Sequence, residues 1–268
     1  MISVIDIGAR GGLNFDLNKF SSSLTVYAFE LDAKECERLN SGQEYESKHR
    51  VEYFPIALGK SASSSPFFST KDPACSSIYK PIDSLADKFS ELDCIRPLTE
   101  MRIKLHTLES WAQERGIEHI DYMKLDTQGS ELDILLGAGK LLNNISLIEI
   151  EVEFTEIYAG QPLFADVDAF MRANGFALWN LNNFVHYSLA NRTELTSTTS
   201  SFHNSKRFEL QNPGGQLYWG HALYVNSKFL DTASGEHFEL RIEELTELCR
   251  NLNLIDLEME VSEIKNRK

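Results

Sequence analysis

The first groups in this chain able to do chemistry stand close to its first residue. Asp6-Ile7-Gly8-Ala9-Arg10-Gly11-Gly12 reads as the end of a strand, Ile2 to Ile7, then a glycine turn that opens a helix. Glycines let backbone amides approach a ligand closely, and a helix N-terminus offers unpaired N–H groups. The spacing fails the G-x-G-x-x-G pattern, because Arg10 stands where a second glycine would make room for a pyrophosphate. Glu30 follows Gly8 by 22 residues, at the end of a second strand-like run from Thr25 to Phe29. An acid about 20 residues beyond such a turn is the usual acceptor for paired ribose hydroxyls. Turn and acid together point to an adenosyl ligand without a pyrophosphate, which suits S-adenosylmethionine (SAM).

A second group of candidates lies downstream. Asp126 ends a strand from Ile120, beside Gln128 and Glu131, and is the first choice for a reaction edge. It can orient the amino group of a methionine moiety or a second substrate, and Lys124 reads as a pairing partner for a neighbouring acid. The run Leu147 to Phe154 alternates Ile148, Ile150, Val152 and Phe154 with Glu149, Glu151 and Glu153. Glu153 is nearest the carboxyl end and best placed to reach a substrate; Glu149 and Glu151 read as solvated or salt-bridged positions. His106 and His221 are candidate bases. Cys36, Cys75, Cys94 and Cys249 form no CxxC pair and HExxH is absent, so nothing demands a metal and the thiols read as unpaired in a reducing compartment.

The elements that must position these groups alternate between strand and helix patterns over the first 155 residues, the signature of a parallel sheet covered by helices. A helix from Ala33 to Asn40 has Asp32 as N-cap and Glu35 three residues on, a capping-box pattern. A third strand runs from Val51 to Leu58. Ser61 to Ser77, with seven serines and two prolines, reads as a long mobile loop and a candidate lid. Thr107 caps a helix from Leu108 to Arg115, and another helix runs from Glu131 to Leu142. Beyond Phe154 the pattern continues with a helix from Ala165 to Asn174, a strand after Gly175, a polar loop from Ala190 to Ser205, a strand from Gln216 to Val225, and a last helix from Glu236 to Asn251 or beyond. With no repeat and no linker, residues 1–268 read as a single domain with loop insertions and a C-terminal helix.

Composition limits the partners. The chain has 268 residues, 42% hydrophobic and 25% charged, the mix of an ordinary soluble protein. Its formal net charge of −14 disfavours a nucleic-acid backbone as a partner. No apolar run is long enough to span a bilayer, and the first residues carry no basic leader, so the expectation is a cytoplasmic protein without membrane insertion.

These motifs give the chain a resemblance to the FkbM family of SAM-dependent methyltransferases. A D-x-G-A-x-x-G segment is matched by Asp6, Gly8, Ala9 and Gly12, and an F-E-P segment by Phe29 and Glu30, with Leu31 in place of proline. A K-x-D-x-E-G-x-E segment is matched from Lys124 to Glu131, except that Gln128 replaces a glutamate. Tyr158 to Phe164 and Gly175-Phe176 are similar to further family segments, while His221 stands where an aspartate is expected. The resemblance implies a doubly wound, mostly parallel seven-stranded α/β sheet of the Rossmann-like methyltransferase type, with an antiparallel last strand. It implies SAM bound by Asp6, Gly8, Ala9, Gly12, Glu30 and Asp126, and a reaction site at Asp126, Glu153 and His221. The expected activity is O-methylation of a sugar hydroxyl on a glycan or of a secondary metabolite. The alternative is a non-catalytic SAM- or nucleoside-binding module in a larger assembly.

Overall fold

A computed structural model describes residues 1–42, 47–187, 215–229 and 241–266. The strands are β1 (Ile2–Ile7), β2 (Leu24–Phe29), β3 (Arg50–Phe54), β4 (Ala57–Leu58), β5 (Ser63–Thr70), β6 (Pro97–His106), β7 (Ile120–Leu125), β8 (Ile145–Glu153), β9 (Phe176–Tyr187) and β10 (Gln216–Asn226). The helices are α1 (Ala33–Ser41), α2 (Ser84–Lys88), α3 (Leu108–Glu114), α4 (Glu131–Gly137), α5 (Phe164–Ala173), α6 (Ile242–Asn251) and α7 (Ile255–Asn266).

Seven strands form one sheet in the order β3-β2-β1-β7-β8-β10-β9. The first five are parallel, and β10 runs antiparallel to both β8 and β9. The expected doubly wound sheet with an antiparallel last strand is present. Because the chain builds outward from β1 to β3 and returns to place β7 on the other side of β1, the carboxyl ends of β1 and β7 splay apart there. Open α/β sheets bind their ligands at that switch point.

Period-two alternation supplies both faces of the sheet. On one, Ile5, Ile7, Met123, Leu125, Ile148 and Ile150 pack against Trp111 of α3, Leu135 of α4 and Val167 of α5. On the other, Ile2, Val4, Val26, Ala28, Tyr122 and Leu147 meet Cys36 of α1, Leu245 and Leu248 of α6, and Leu257 of α7. On this second face the carboxyl half changes character. Asp6, Lys124, Glu151 and Glu153 are all buried there. A buried charge needs partners, so a row of them marks a place kept for something other than packing.

Several expectations need correction. No α-helix follows the glycine turn; Leu17–Lys19 makes one 3-10 turn, capped by Asp16. Gly11 and Gly12, both at positive φ, break the backbone before a helix can nucleate. The third strand ends at Phe54, and Ala57–Leu58 joins a separate sheet of order β4-β6-β5. Only the later part of the serine-rich stretch, from Lys71, is a loop, with one 3-10 turn at Pro73–Cys75. Ser63–Thr70 is an edge strand, paired antiparallel with β6 from Ser63↔Leu105 to Thr70↔Pro97. An edge strand tolerates Pro66, and its half-exposed serines find local partners, as Ser64 does with Arg102 and Ser69 with Thr99. The helix from Glu131 ends as α-helix at Gly137 and continues as 3-10 to Asn144. Asp32 caps α1 through Lys34 N and Glu35 N, but Glu35 does not close a capping box: its carboxylate turns to Gly11 N at 3.1 Å and to Arg38. The polar loop from Ala190 to Ser205 and the start of the last helix at Glu236 lie outside the described residues; helices are present over Ile242–Asn251 and Ile255–Asn266.

Candidate functional site

A cavity of about 470 Å³ opens at the carboxyl ends of β1, β2, β7 and β8. Its roof is the segment 73–78 together with Leu92, Cys94 and Ile95. The roof is tied to the floor by hydrogen bonds: Ser77 Oγ donates to Gln128 O at 2.7 Å, and Tyr158 Oη donates to Cys75 O at 2.7 Å.

Gly8 lies at the edge where β1 and β7 part. At its φ of 89° an added Cβ would sit 1.9 Å from the carbonyl oxygen of Asp126, so the turn closes on the β7 loop with no room for a side chain. Gly8→Ala is expected to lower unfolding free energy by at least about 1–2 kcal/mol from the left-handed backbone alone, with the clash added. Urea denaturation checks this, and wild-type stability in the variant would show that the turn can open without loss. The turn's amides are largely spent: Gly8 N and Ala9 N both donate to Phe29 O at 3.0 Å, and Gly12 N donates to Ala9 O at 3.1 Å. With Gly11 N on Glu35, little remains to cradle a phosphate.

Glu30 lines the same cavity. Its Oε1 accepts from Asp32 N at 2.8 Å, and the Arg10 guanidinium stands 3.6 Å away. Burial raises its pKa, against the pull of the Asp32 amide and of Arg10. Asp6, Ala9 and Gly12 of the same motif do not line the cavity. Asp6 is 1% exposed, faces the second core, and has no hydrogen-bond partner for either carboxylate oxygen among the described residues. Burial pushes its carboxyl up to about 6, with Lys124 opposing. Ala9 packs in that core and Gly12 lies against Leu39, so both shape the turn.

Beside Gly8, Asp126 meets Lys124 Nζ at 3.0 Å. Burial works against its charge, but the Lys124 ammonium and His221 hold the carboxyl below its usual range. Gln128, at a φ of 59°, is a rare left-handed non-glycine residue. Its amide donates to Glu151 at 2.8 Å and to Asp126 at 3.3 Å, while its Oε1 accepts from Tyr158 Oη at 3.1 Å. Glu153 is 3% exposed and lines the cavity beside Glu151; burial drives both carboxyls well above their ordinary range. Glu151 is therefore no solvated position, because the strand's second face is closed at this height.

His221 does not line the cavity. Its Nδ1 lies 2.9 Å from Glu149 Oε1, and its ring lies beside that of Trp219, which does line it. Glu149 is not solvated: it is hydrogen-bonded to the His221 imidazole and to the Tyr122 hydroxyl. His106 ends β6 and has no place in the cavity wall. Sequence reasoning missed Glu151, Tyr158, Tyr187 and Trp219 as lining groups. The regular spacing of glutamates in β8 was the available signal for the first, whereas the aromatic three come from segments whose approach depends on the whole fold.

Comparison with known proteins adds a family. The Methyltransferase FkbM domain matches residues 6–178. The 2-O-methyltransferase NoeI of Sinorhizobium fredii is 34% identical over 80 residues, which cover 30% of this chain and 33% of that protein. The chain thus spans about a third of the length of this curated relative. Among solved structures, the magnesium protoporphyrin IX methyltransferase of Synechocystis PCC 6803 with bound SAM aligns over 84% of this chain and 69% of its own, at 12% identity and a TM-score of 0.35. A likeness at that score adds nothing to the assignment.

Proposed function

We propose, from the premise that the chain belongs to the FkbM methyltransferase domain family, that it transfers a methyl group from SAM to a hydroxyl oxygen of a small-molecule or glycan acceptor. The observation that carries this reading is that Gly8, Glu30 and Asp126, far apart in sequence, meet at one cavity on the switch point of the sheet. Bound SAM supplies an electrophilic methyl group. The residues present fit it: Glu30 is a buried acceptor for paired ribose hydroxyls, and the turn's amides, spent on Phe29 O, Ala9 O and Glu35, leave little to hold a pyrophosphate.

Asp126, held ionised by Lys124, is the group that orients a reactant's amino or hydroxyl donor. Glu153 borders the acceptor's half of the cavity beside Glu151 and is the base for the acceptor's proton, since His221 lies beside Trp219 but outside the cavity wall. Methyl transfer is an in-line displacement, so much of the acceleration comes from holding acceptor and methyl in near-attack geometry. A hydroxyl acceptor must also lose its proton, which calls for the base. The formal net charge of −14 supports a small-molecule or glycan acceptor over a nucleic acid. The four free thiols support a cytoplasmic setting; no helix among the described residues is long and apolar enough to cross a membrane.

Glu30→Ala is expected to weaken SAM binding by about 1.5–3 kcal/mol, the range for a hydrogen bond to a charged group. Calorimetry on the folded variant reads this directly, and wild-type affinity would remove Glu30 from the ribose site. The function itself is tested with methyl-labelled SAM and a pool of hydroxylated acceptors that includes free sugars and glycosides. Label transfer is the expected result; persistent SAM binding without transfer to any acceptor would turn the reading into that of a binding module.

A further inference from the structure

Gln128 lines the cavity and holds a φ of 59°, a backbone conformation that few residues with a side chain adopt. Such strain persists where the surroundings over-determine it, and here they do so on three sides. Its backbone carbonyl accepts from Ser77 Oγ at 2.7 Å, which pins it to the roof. Its side-chain Nε2 donates to Glu151 Oε2 at 2.8 Å and to Asp126 Oδ1 at 3.3 Å. Its Oε1 accepts from Tyr158 Oη at 3.1 Å, and the same hydroxyl reaches Cys75 O at 2.7 Å. Asp126, Glu151 and Tyr158 all stand in the cavity wall.

We infer that Gln128 is a positioning residue for methyl transfer, whose amide nitrogen bridges the carboxyls of Asp126 and Glu151 and so sets the geometry of one wall of the cavity. This rests on the SAM-methyltransferase reading above. The parallel register of β7 on β8 pairs Leu125 with Ile150, so the residues one step on, Asp126 and Glu151, come together at the strand ends. An amide nitrogen carries two N–H donors, one for each carboxyl, whereas an ionised carboxylate can only accept. The reverse orientation of the amide would set its carbonyl against both acids, so the network assigns the nitrogen to the carboxyls and the oxygen to Tyr158.

The groups around the bridge make its lack of charge matter. Lys124 addresses the other oxygen of Asp126 at 3.0 Å. Glu153 on β8 and Glu131 on α4 both act on Glu151 as like charges, and the Cys75 thiol lies near it from the roof. Burial drives Glu151 well above the ordinary carboxyl range, while Lys124 helps to hold Asp126 below it. The neutral amide serves both carboxyls whatever their ionisation. A carboxylate in its place would offer no donor and would add a further negative charge between them.

The test uses the full chain. Nitrogen-15 NMR is expected to show both Gln128 side-chain N–H protons in slow exchange and shifted downfield, identified by their loss in Gln128→Glu. Two rapidly exchanging protons would overturn the inference. Transfer from labelled SAM to a mixture of hexoses and methyl glycosides is then followed from about pH 5 to about pH 9, each rate per folded protein taken as a ratio to wild type at the same pH. Gln128→Met keeps the length and has no donor, so its turnover should fall on the order of 10–10²-fold throughout, the range for partners that orient the ligands of metal sites. Gln128→Glu regains a donor only when the introduced carboxyl is protonated. It should fall as far at the alkaline end and recover to within several-fold of wild type at the acid end. A residue that only fills space would leave that ratio flat. A flat ratio in folded Gln128→Glu, or wild-type turnover in folded Gln128→Met, would overturn the inference. Failure of wild type to bind SAM or to label any acceptor would instead overturn the methyltransferase reading.

Discussion

Replacing Asp126 with alanine is expected to lower turnover on the order of 10²-fold or more, the range for loss of a group that positions a reactant or assists its proton transfer. Asp126 sits just past β7, in the cavity wall, and is the carboxylate that Lys124 and the Gln128 amide both address. Its removal does two things at once. It takes an ionised acceptor from the reaction edge, and it leaves the Lys124 ammonium, only 7% exposed in its side chain, without its near partner. An uncompensated buried charge is costly, so the variant must be shown to be folded before its rate is read. Asp126→Asn keeps the shape and a carbonyl oxygen for the Lys124 ammonium, so it removes the charge with less damage to the fold. If it binds SAM normally and turns over slowly, the charge acts in the reaction. Full activity in Asp126→Ala would move the reaction edge elsewhere and leave only the cofactor side of the cavity assigned.

The second large effect is on stability against pH. Glu131 is 2% exposed, and burial pushes its carboxyl up to about 7, although Thr127 N, Thr127 Oγ1 and Gly129 N all donate to it. Asp6, in β1, is pushed up to about 6 by burial. Both folded values lie above the ordinary ones of 4.5 and 3.8. The folded state therefore holds these protons more tightly than the unfolded chain. Their contribution is fully present below about pH 4 and is lost as pH rises through about 6 to 7. A tenfold difference in proton affinity is worth about 1.4 kcal/mol, so each group withdraws roughly 3 kcal/mol by pH 8. Asp126, Glu149 and Asp121 hold their protons less tightly in the fold, so their stabilisation fades in the opposite direction, below about pH 4. Maximum stability is expected in mildly acid solution. Glu131→Gln should raise the urea midpoint at pH 8 and change it little at pH 5. An equal change at both values would mean that Glu131 is already ionised in the fold.

The same carboxyls mark the limit of what could be read along the chain. The strands β1, β2, β7 and β8 were legible because alternation with a period of two is a local property, and so was Asp32 as a cap, because it serves the next three residues. The turn at Gly8 was legible for a related reason, since close backbone approach demands one residue type at one position, and Glu30, picked out by its distance from that turn, does line the same cavity. The face of β8 was read correctly as alternating and wrongly as solvated or salt-bridged at Glu151, which is buried and accepts from the Gln128 amide. Alternation tells which residues share a side, and only the packing of the neighbouring strands tells what covers that side.

The parallel α/β sheet is thus written locally along the chain. So is the family to which its D-x-G-A turn, Glu30 and the Lys124–Glu131 segment point, matched over residues 6–178. The packing of distant segments settled the rest. It paired Ser63–Thr70 with β6 and so turned the first half of an apparent loop into an edge strand, leaving residues 73–78 over the cavity. It brought Tyr158 to Gln128 and to the Cys75 carbonyl, and it set His221 against Glu149 across 72 residues. Turns, caps and strand faces follow from torsions and side-chain spacing within a few residues. Hydrogen-bond partners and burial depend on which remote segments come together, and that is governed by the free energy of the whole fold rather than by any stretch of it.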